Sequence, residues 1–355
     1  MRLALSLVLA ITCSAACAPA PEQEAGPSRT WSFAEATVFP ADRSLVRPED
    51  GVVLLDKTLV VADQRHGLIA LAPDGTQRPF GRFAEAGYVH EPPDRKAGPN
   101  GVALDPDGTH VLVADIFTGA IYRVNVESEA TERIYLHPFG VNSAHGDSTG
   151  AIWFTQSTEN PAGPESEARM FAAADLRLSD GALYRLPAPS PDGAPAVAEL
   201  KVSGLDFANG FVIDEERGRL YLSETMADRV LGFTISLSTG ALSDRRDVAS
   251  LLTPDNIEMD DSGMLWVASP IHNEVVVIDP ESGELQSVFR PESADNDRIA
   301  AEWLRRAEAG EPRLDLMTPE MWAPMPGLLT GVILTPGGGP VYVSGLGDAL
   351  IRLDE

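Results

Sequence analysis

An internal repeat constrains this chain more than any other feature. In each copy an amide or small residue, followed by glycine or an aliphatic residue, opens a short strand. A tight polar turn, a β-rich strand ending in a small residue, a loop and another aliphatic strand follow. Copies occupy residues 49–71 (EDGVVLLDKTLVVADQRHGLIAL), 100–126 (NGVALDPDGTHVLVADIFTGAIYRVNV) and 142–186, the last with a long insertion. Three more occupy 209–235 (NGFVIDEERGRLYLSETMADRVLGFTI), 256–278 (NIEMDDSGMLWVASPIHNEVVVI) and 331–353 (GVILTPGGGPVYVSGLGDALIRL). Aliphatic alternation between Gly, Asp and Pro turns is the period of strands, not of helices. Six copies predict an all-β, six-bladed β-propeller, since radial repetition of four-stranded sheets leaves few exposed edges.

The last copy supplies only three strands before Glu355, while residues 31–39 (WSFAEATVF) precede the first copy as a strand without a blade. That N-terminal strand is expected to complete the final blade, making residues 31–355 one propeller. Turn lengths are asymmetric. Turns 105–108, 214–218, 260–263 and 279–283 are tight and belong to one end, here the bottom. Segments 80–99, 157–180 and 290–328 are long and fall at the top, where each innermost strand begins. Within the last, residues 295–309 have helical spacing with Ile299, Trp303 and Leu304 on one face, and are expected to cover the channel as a lid.

Arg2 and the uncharged run 3–16, too short to span a bilayer comfortably, predict an export signal over residues 1–20, with a flexible tether at 21–30. Ser14-Ala15-Ala16-Cys17 has the small residues that precede a lipid-modified cysteine. The expected product is periplasmic: an outer-membrane lipoprotein anchored through Cys17, or a soluble or secreted protein cleaved near Ala20. Both cysteines, Cys13 and Cys17, lie in this segment, so the body has no pair for a disulfide. With 53 acidic against 27 basic residues the formal charge is −26, which repels phosphate backbones and excludes nucleic acid as a partner. The same field concentrates divalent cations.

The innermost strands begin with Glu49, Asn100, Asn142, Asn209, and Asp255 with Asn256. These are oxygen donors from segments far apart in sequence, and a ring of strand starts converges them at the channel mouth. Calcium takes six to eight oxygens from carboxylates, amides and water, whereas clustered Cys or paired His for zinc are missing. Asn before Gly is also a common turn former, so Asn100-Gly101 and Asn209-Gly210 admit that reading too. His145, three residues past Asn142, is a candidate for proton transfer or substrate contact at the top, as are His66, His272 and Glu224 in second-to-third-strand loops. There is no phosphate-binding glycine loop and no nucleophile elbow.

These repeats resemble the senescence marker protein/gluconolactonase propellers. Phe207-Ala208-Asn209-Gly210 with Pro254-Asp255-Asn256 is similar to the paraoxonase branch of that superfamily. The resemblance implies a channel calcium held by Glu49, Asn142, Asn209, Asp255 and Asn256, and a calcium-dependent hydrolase of lactones or aryl esters. Asp255 is then the candidate for water activation, and Asn100 matches a gluconolactonase residue that contacts substrate. Asn100 and Ser143 stand where paraoxonases carry a His and an Asp, so neither their histidine relay nor their second calcium carries over. The expected partner is a small lactone or ester, bound by a monomer. Two other readings use the same scaffold: a metal-free enzyme resembling strictosidine synthase, and a propeller that binds without catalysis.

Overall fold

A computed structural model of the protein describes residues 29–189 and 196–354. The export signal, Cys17 and most of the tether lie outside the described residues. No described helix is long and apolar enough to cross a membrane.

Six four-stranded antiparallel sheets form a six-bladed β-propeller. Blade one runs from Gly51–Val53 to Gln77–Phe80, and blade two from Pro99–Leu104 to Thr131–Leu136. Blades three, four and five follow in the same order, and blade six takes three strands from the C-terminal segment. Its fourth is Thr37–Phe39, which pairs antiparallel with Leu350–Leu353 and closes the ring. This closing strand is shorter than the expected 31–39. Trp31 instead bridges Phe289 of blade five, its N–H donating to the Val288 carbonyl at 2.7 Å. The N-terminal segment thus ties two blades.

Strands buried on both faces explain the aliphatic runs, and the core is a succession of clusters between neighbouring blades. Leu68 and Phe80 of blade one pack with Val111 and Tyr122 of blade two. Trp153 of blade three packs with Phe211 and Leu231 of blade four, and Tyr342 and Leu350 of blade six pack with Val61 and Ile69 of blade one. The bottom turns bind to the strands above them. Asp147 and Asp260 each begin a tight turn and accept a 2.9 Å bond from the indole N–H six residues on, Trp153 and Trp266.

The long top segments divide. Residues 80–99 fold down the side of blades one and two, where Phe83 and Tyr88 pack edge-on against Tyr122. The insertion in blade three carries helix α1 (Ser166–Phe171), and the connection from blade five to six carries helix α2 (Ala294–Ala309) and helix α3 (Pro319–Trp322). Ser293 caps α2 by accepting from the Asn296 N–H, and Gly310 ends it in the left-handed conformation at φ 66°. The Asn296 amide donates to the Ile271 and Met321 carbonyls at 3.0 and 2.8 Å, which pins α2 over the propeller. Ile299 and Trp303 are buried as expected, but Leu304 is 42% exposed. The buried face is 296, 299, 300 and 303, and at about 100° per residue Leu304 lies about 80° round from Asn296.

Candidate functional site

The top of the channel opens into a cavity whose floor is made by the first residues of the innermost strands. Glu49, Asn100, Asn142, Asn209 and Asp255 line it, together with Arg47 and three threonines, Thr225, Thr253 and Thr330. Ile116, Met170, Phe171, Phe207, Trp303 and Leu328 contribute to an apolar wall, so helices α1 and α2 both reach it. Polar groups at its base and an apolar wall are the lining of a small-molecule site.

Hydrogen bonding fixes which atoms face the cavity. The Asn142 amide donates to the Ser157 hydroxyl at 2.9 Å, and Ser157 in turn donates to the Ala208 carbonyl. Likewise the Asn209 amide donates to the Thr225 hydroxyl at 3.1 Å, which donates to the Pro254 carbonyl. With both NH₂ groups committed, the Asn142 and Asn209 carbonyl oxygens are buried without a partner, as is Oε2 of Glu49. Buried polar atoms are rarely left so, and three unpaired oxygens around one cavity point to a bound donor or cation.

Two carboxylates share this floor. Burial pushes the Glu49 carboxyl up to about 7, an effect opposed by Arg47 and by the amides of Asn256 and Asn100. Asp255 is raised well above the ordinary carboxylate range, first by burial and then by the charge of Glu49. Such a pair is stable in its charged form only beside a positive charge. Among the described residues no cluster of three or more His, Cys, Asp or Glu side chains is placed to hold a metal. The donors here are instead two carboxylates with neutral amides, all oxygen, which fits a hard divalent cation and balances its charge.

The other sequence candidates separate from this group. Asn256 presents its amide to Glu49 Oε1 at 3.2 Å from behind, and does not line the cavity. Asn100 lines the cavity, but its oxygen accepts from Arg47 Nη2 at 2.8 Å and one N–H of its amide donates to the Asn142 backbone carbonyl at 3.2 Å. His145 lines a different cavity, at the bottom, with Glu258. Three residues of strand carry it about 10 Å below Asn142. Glu224 is buried as a clamp that accepts from the Asp206 N–H and pairs with Arg229 at 2.8 Å. His272 faces Glu274 and His66 faces Asp63, each on a loop away from the floor.

The turn reading of the Asn-Gly pairs does not hold. Both lie inside strands, Pro99–Leu104 and Ala208–Asp214, and neither glycine has a positive φ. A Cβ on Gly101 would stand 2.7 Å from the Ser143 backbone, and one on Gly210 2.7 Å from that of Asn256. Glycine follows the amide because innermost strands approach most closely there. Sequence reasoning missed Arg47 and the threonines. Thr225, Thr253 and Thr330 adjoin candidate positions in the repeat, whereas Arg47 precedes its repeat and left no periodic signal.

Fold and site together define a six-bladed propeller with a lidded, oxygen-lined channel mouth. Residues 136–294 match the family model described as SMP-30/Gluconolactonase/LRE-like region. That span holds Asn142, Asn209 and Asp255, and the fold adds Glu49 from outside it. The chain is 26% identical to regucalcin of Bos taurus over 199 residues, 50% of this chain and 67% of that protein. It is 32% identical to regucalcin of Oryctolagus cuniculus over 125 residues, 34% of this chain and 40% of that protein. A gluconolactonase from Xanthomonas campestris superposes with a TM-score of 0.59 at 20% identity, covering 94% of this chain and 99% of that one. A luciferin-regenerating enzyme does so with a TM-score of 0.57 at 16% identity, covering 90% and 95%. These two likenesses are of fold.

Proposed function

We propose that the protein is a calcium-dependent hydrolase of small lactones or esters that carry an apolar group. One observation carries this reading: the unpaired oxygens of Glu49, Asn142 and Asn209 gather in one cavity with Asp255. Those residues, with Asn256 behind Glu49, would hold the ion. The likeness to regucalcins and to a gluconolactonase supports a lactone as the substrate class. The wall of Ile116, Met170, Phe207 and Trp303 supports an apolar substituent rather than a polyhydroxylated one.

A bound calcium ion supplies Lewis-acid polarisation of the carbonyl and stabilises the developing oxyanion. The chain does the rest. Asp255, whose carboxylate sits on the cavity floor, would accept the proton of the attacking water. Ser157 and Thr225 hold the amide oxygens in place, and the apolar wall excludes bulk water from the reacting carbonyl. Asn100 holds Arg47 through its oxygen and the Asn142 backbone through one N–H, and lines the cavity beside them.

The test is metal content of the purified protein together with turnover of a panel running from gluconolactone through alkyl-substituted lactones to phenyl acetate. Bound calcium and chelator-sensitive hydrolysis favouring the alkyl-substituted and aryl members is expected. Chelator-insensitive hydrolysis would overturn the metal's role, and turnover of no member by calcium-loaded protein would leave a binding propeller.

A further inference from the structure

Arg47 is the only basic side chain among the described residues that line the cavity. It makes no ion pair within 4.0 Å with a described carboxylate, although Glu49 is two residues away and its charge is felt. Its guanidinium lies over the Phe117 ring at 5.5 Å, donating through Nη1 to the Pro99 carbonyl at 2.9 Å and through Nη2 to Asn100. Two of a guanidinium's five N–H groups are so used, and the group stays charged. The chain holds this side chain from a left-handed backbone, φ 55° at Arg47, a conformation uncommon for any residue but glycine. A residue in an uncommon backbone conformation thus brings a half-satisfied fork to a cavity that joins an oxygen-lined floor to an apolar wall.

Charge balance indicates what completes it. Among the side chains that line the cavity, Glu49, Asp255 and Arg47 sum to one negative charge, which a divalent cation would make one positive, with Asp115 and Glu167 also acting on Arg47 from behind. We infer that Arg47 is an anion anchor, and that the cavity binds apolar monocarboxylates, the chemical class of acid that ester or lactone hydrolysis releases. The carboxylate takes the free N–H groups of Arg47 and the hydrocarbon lies against Ile116, Met170 and Phe207. The positive sum rests on the proposed calcium site, whereas the fork of Arg47 does not. Product acid of sufficient chain length therefore competes with substrate.

Trp303 lines the same cavity and reports occupancy by its fluorescence. The probes are octanoate and 1-octanol, titrated into calcium-loaded wild type, Arg47→Met and Arg47→Lys, with Trp303→Phe to assign the signal. Octanoate is expected to bind wild type at least about tenfold more tightly than octanol. It should weaken about 10- to 100-fold in Arg47→Met and by less in Arg47→Lys, with octanol changed less than about twofold in both. Equal binding of the two probes by wild type would overturn the anchor, as would unchanged octanoate binding in Arg47→Met. Loss of both probes in both variants would also overturn it, because Arg47 would then hold the cavity's shape and not its charge. Octanoate binding that depends on Arg47 but survives chelation keeps the anchor and shows that it needs no calcium.

Discussion

The two ends of the channel are instructive side by side. Both carry ionisable groups displaced by burial: Glu49 and Asp255 at the top, and His145, pulled down to about 4, with Glu258 at the bottom. At the top the amides of Asn142 and Asn209 are each oriented by a hydroxyl with the oxygen left unpaired, and helices α1 and α2 complete the walls. At the bottom the cavity is larger, with an empty volume of about 1820 Å³, and the His145 ring rests edge-on against Phe211 at 4.7 Å with no hydrogen bond to a described residue. Displaced titration accompanies burial anywhere. Convergent atoms held from behind by hydrogen bonds are what distinguish the working end.

The sharpest way to break this contrast is to remove a donor from each end. Asp255→Ala is expected to lower hydrolysis by at least about 10²-fold and to abolish the rise in melting temperature caused by calcium. His145→Ala should leave the calcium response of melting intact. Thermal melts at several calcium concentrations check both, and a calcium response that survives Asp255→Ala would remove that residue from the metal site.

Next in size is the spacing of the strands that carry the donors. Gly210→Ala places a Cβ 2.7 Å from the Asn256 backbone, and no flexible side chain is available to yield. A cost of about 2–4 kcal/mol in unfolding free energy is expected, with weaker calcium binding because Asn209 and Asp255 move apart. Gly108→Ala, in an open bottom turn at φ 68°, should cost only about 1 kcal/mol. Denaturant midpoints of the two variants decide whether close approach or turn geometry is the stronger demand.

Much of this was legible in the sequence because repetition multiplies weak signals. Aliphatic alternation fixes the blades, and the three-strand final copy implies closure by residues before Glu49. The amide positions stand out because they recur at one place in the repeat. What does not recur was not legible. Trp31 leaves its strand for blade five because Val288 offers a carbonyl there, a tertiary fact. Arg47 sits outside the repeat, and Glu224 reads as a free acid until Arg229 and the Asp206 N–H are seen to occupy it. His145 was placed at the wrong end because sequence spacing was read without the length of three strand residues.

A smaller effect belongs to the bottom end. Burial lowers the His145 pKa from the ordinary value to about 4, so between those values the unfolded chain binds a proton that the folded chain does not. Stability is then fully present above about pH 6.5 and falls as pH drops toward 4, by up to about 3 kcal/mol from this group. His145→Phe should remove that share of the slope, which Glu258 opposes because burial raises its carboxyl to about 8. Unfolding free energies of both proteins at pH 7 and 4.5 provide the measurement. Identical pH slopes would show that His145 takes up its proton in the folded chain as it does in the unfolded one.

The smallest effect again sets one end against the other, through two tryptophans. Trp266 at the bottom donates its indole N–H to Asp260 at 2.9 Å, while that of Trp303 at the top is buried with no acceptor. Trp266→Phe deletes a made bond and leaves a carboxylate oxygen short of a donor, for an expected loss of about 1–2 kcal/mol. Trp303→Phe deletes an unmade bond, which favours the folded state. It also weakens the contact of the Arg313 guanidinium, 4.7 Å above the ring, by about 0.5–1 kcal/mol. These terms oppose, so the unliganded variant should unfold within about 1 kcal/mol of wild type. A loss of 3 kcal/mol or more would mean that an ordered water partners the Trp303 N–H, and that the top cavity is wetter than its apolar wall implies.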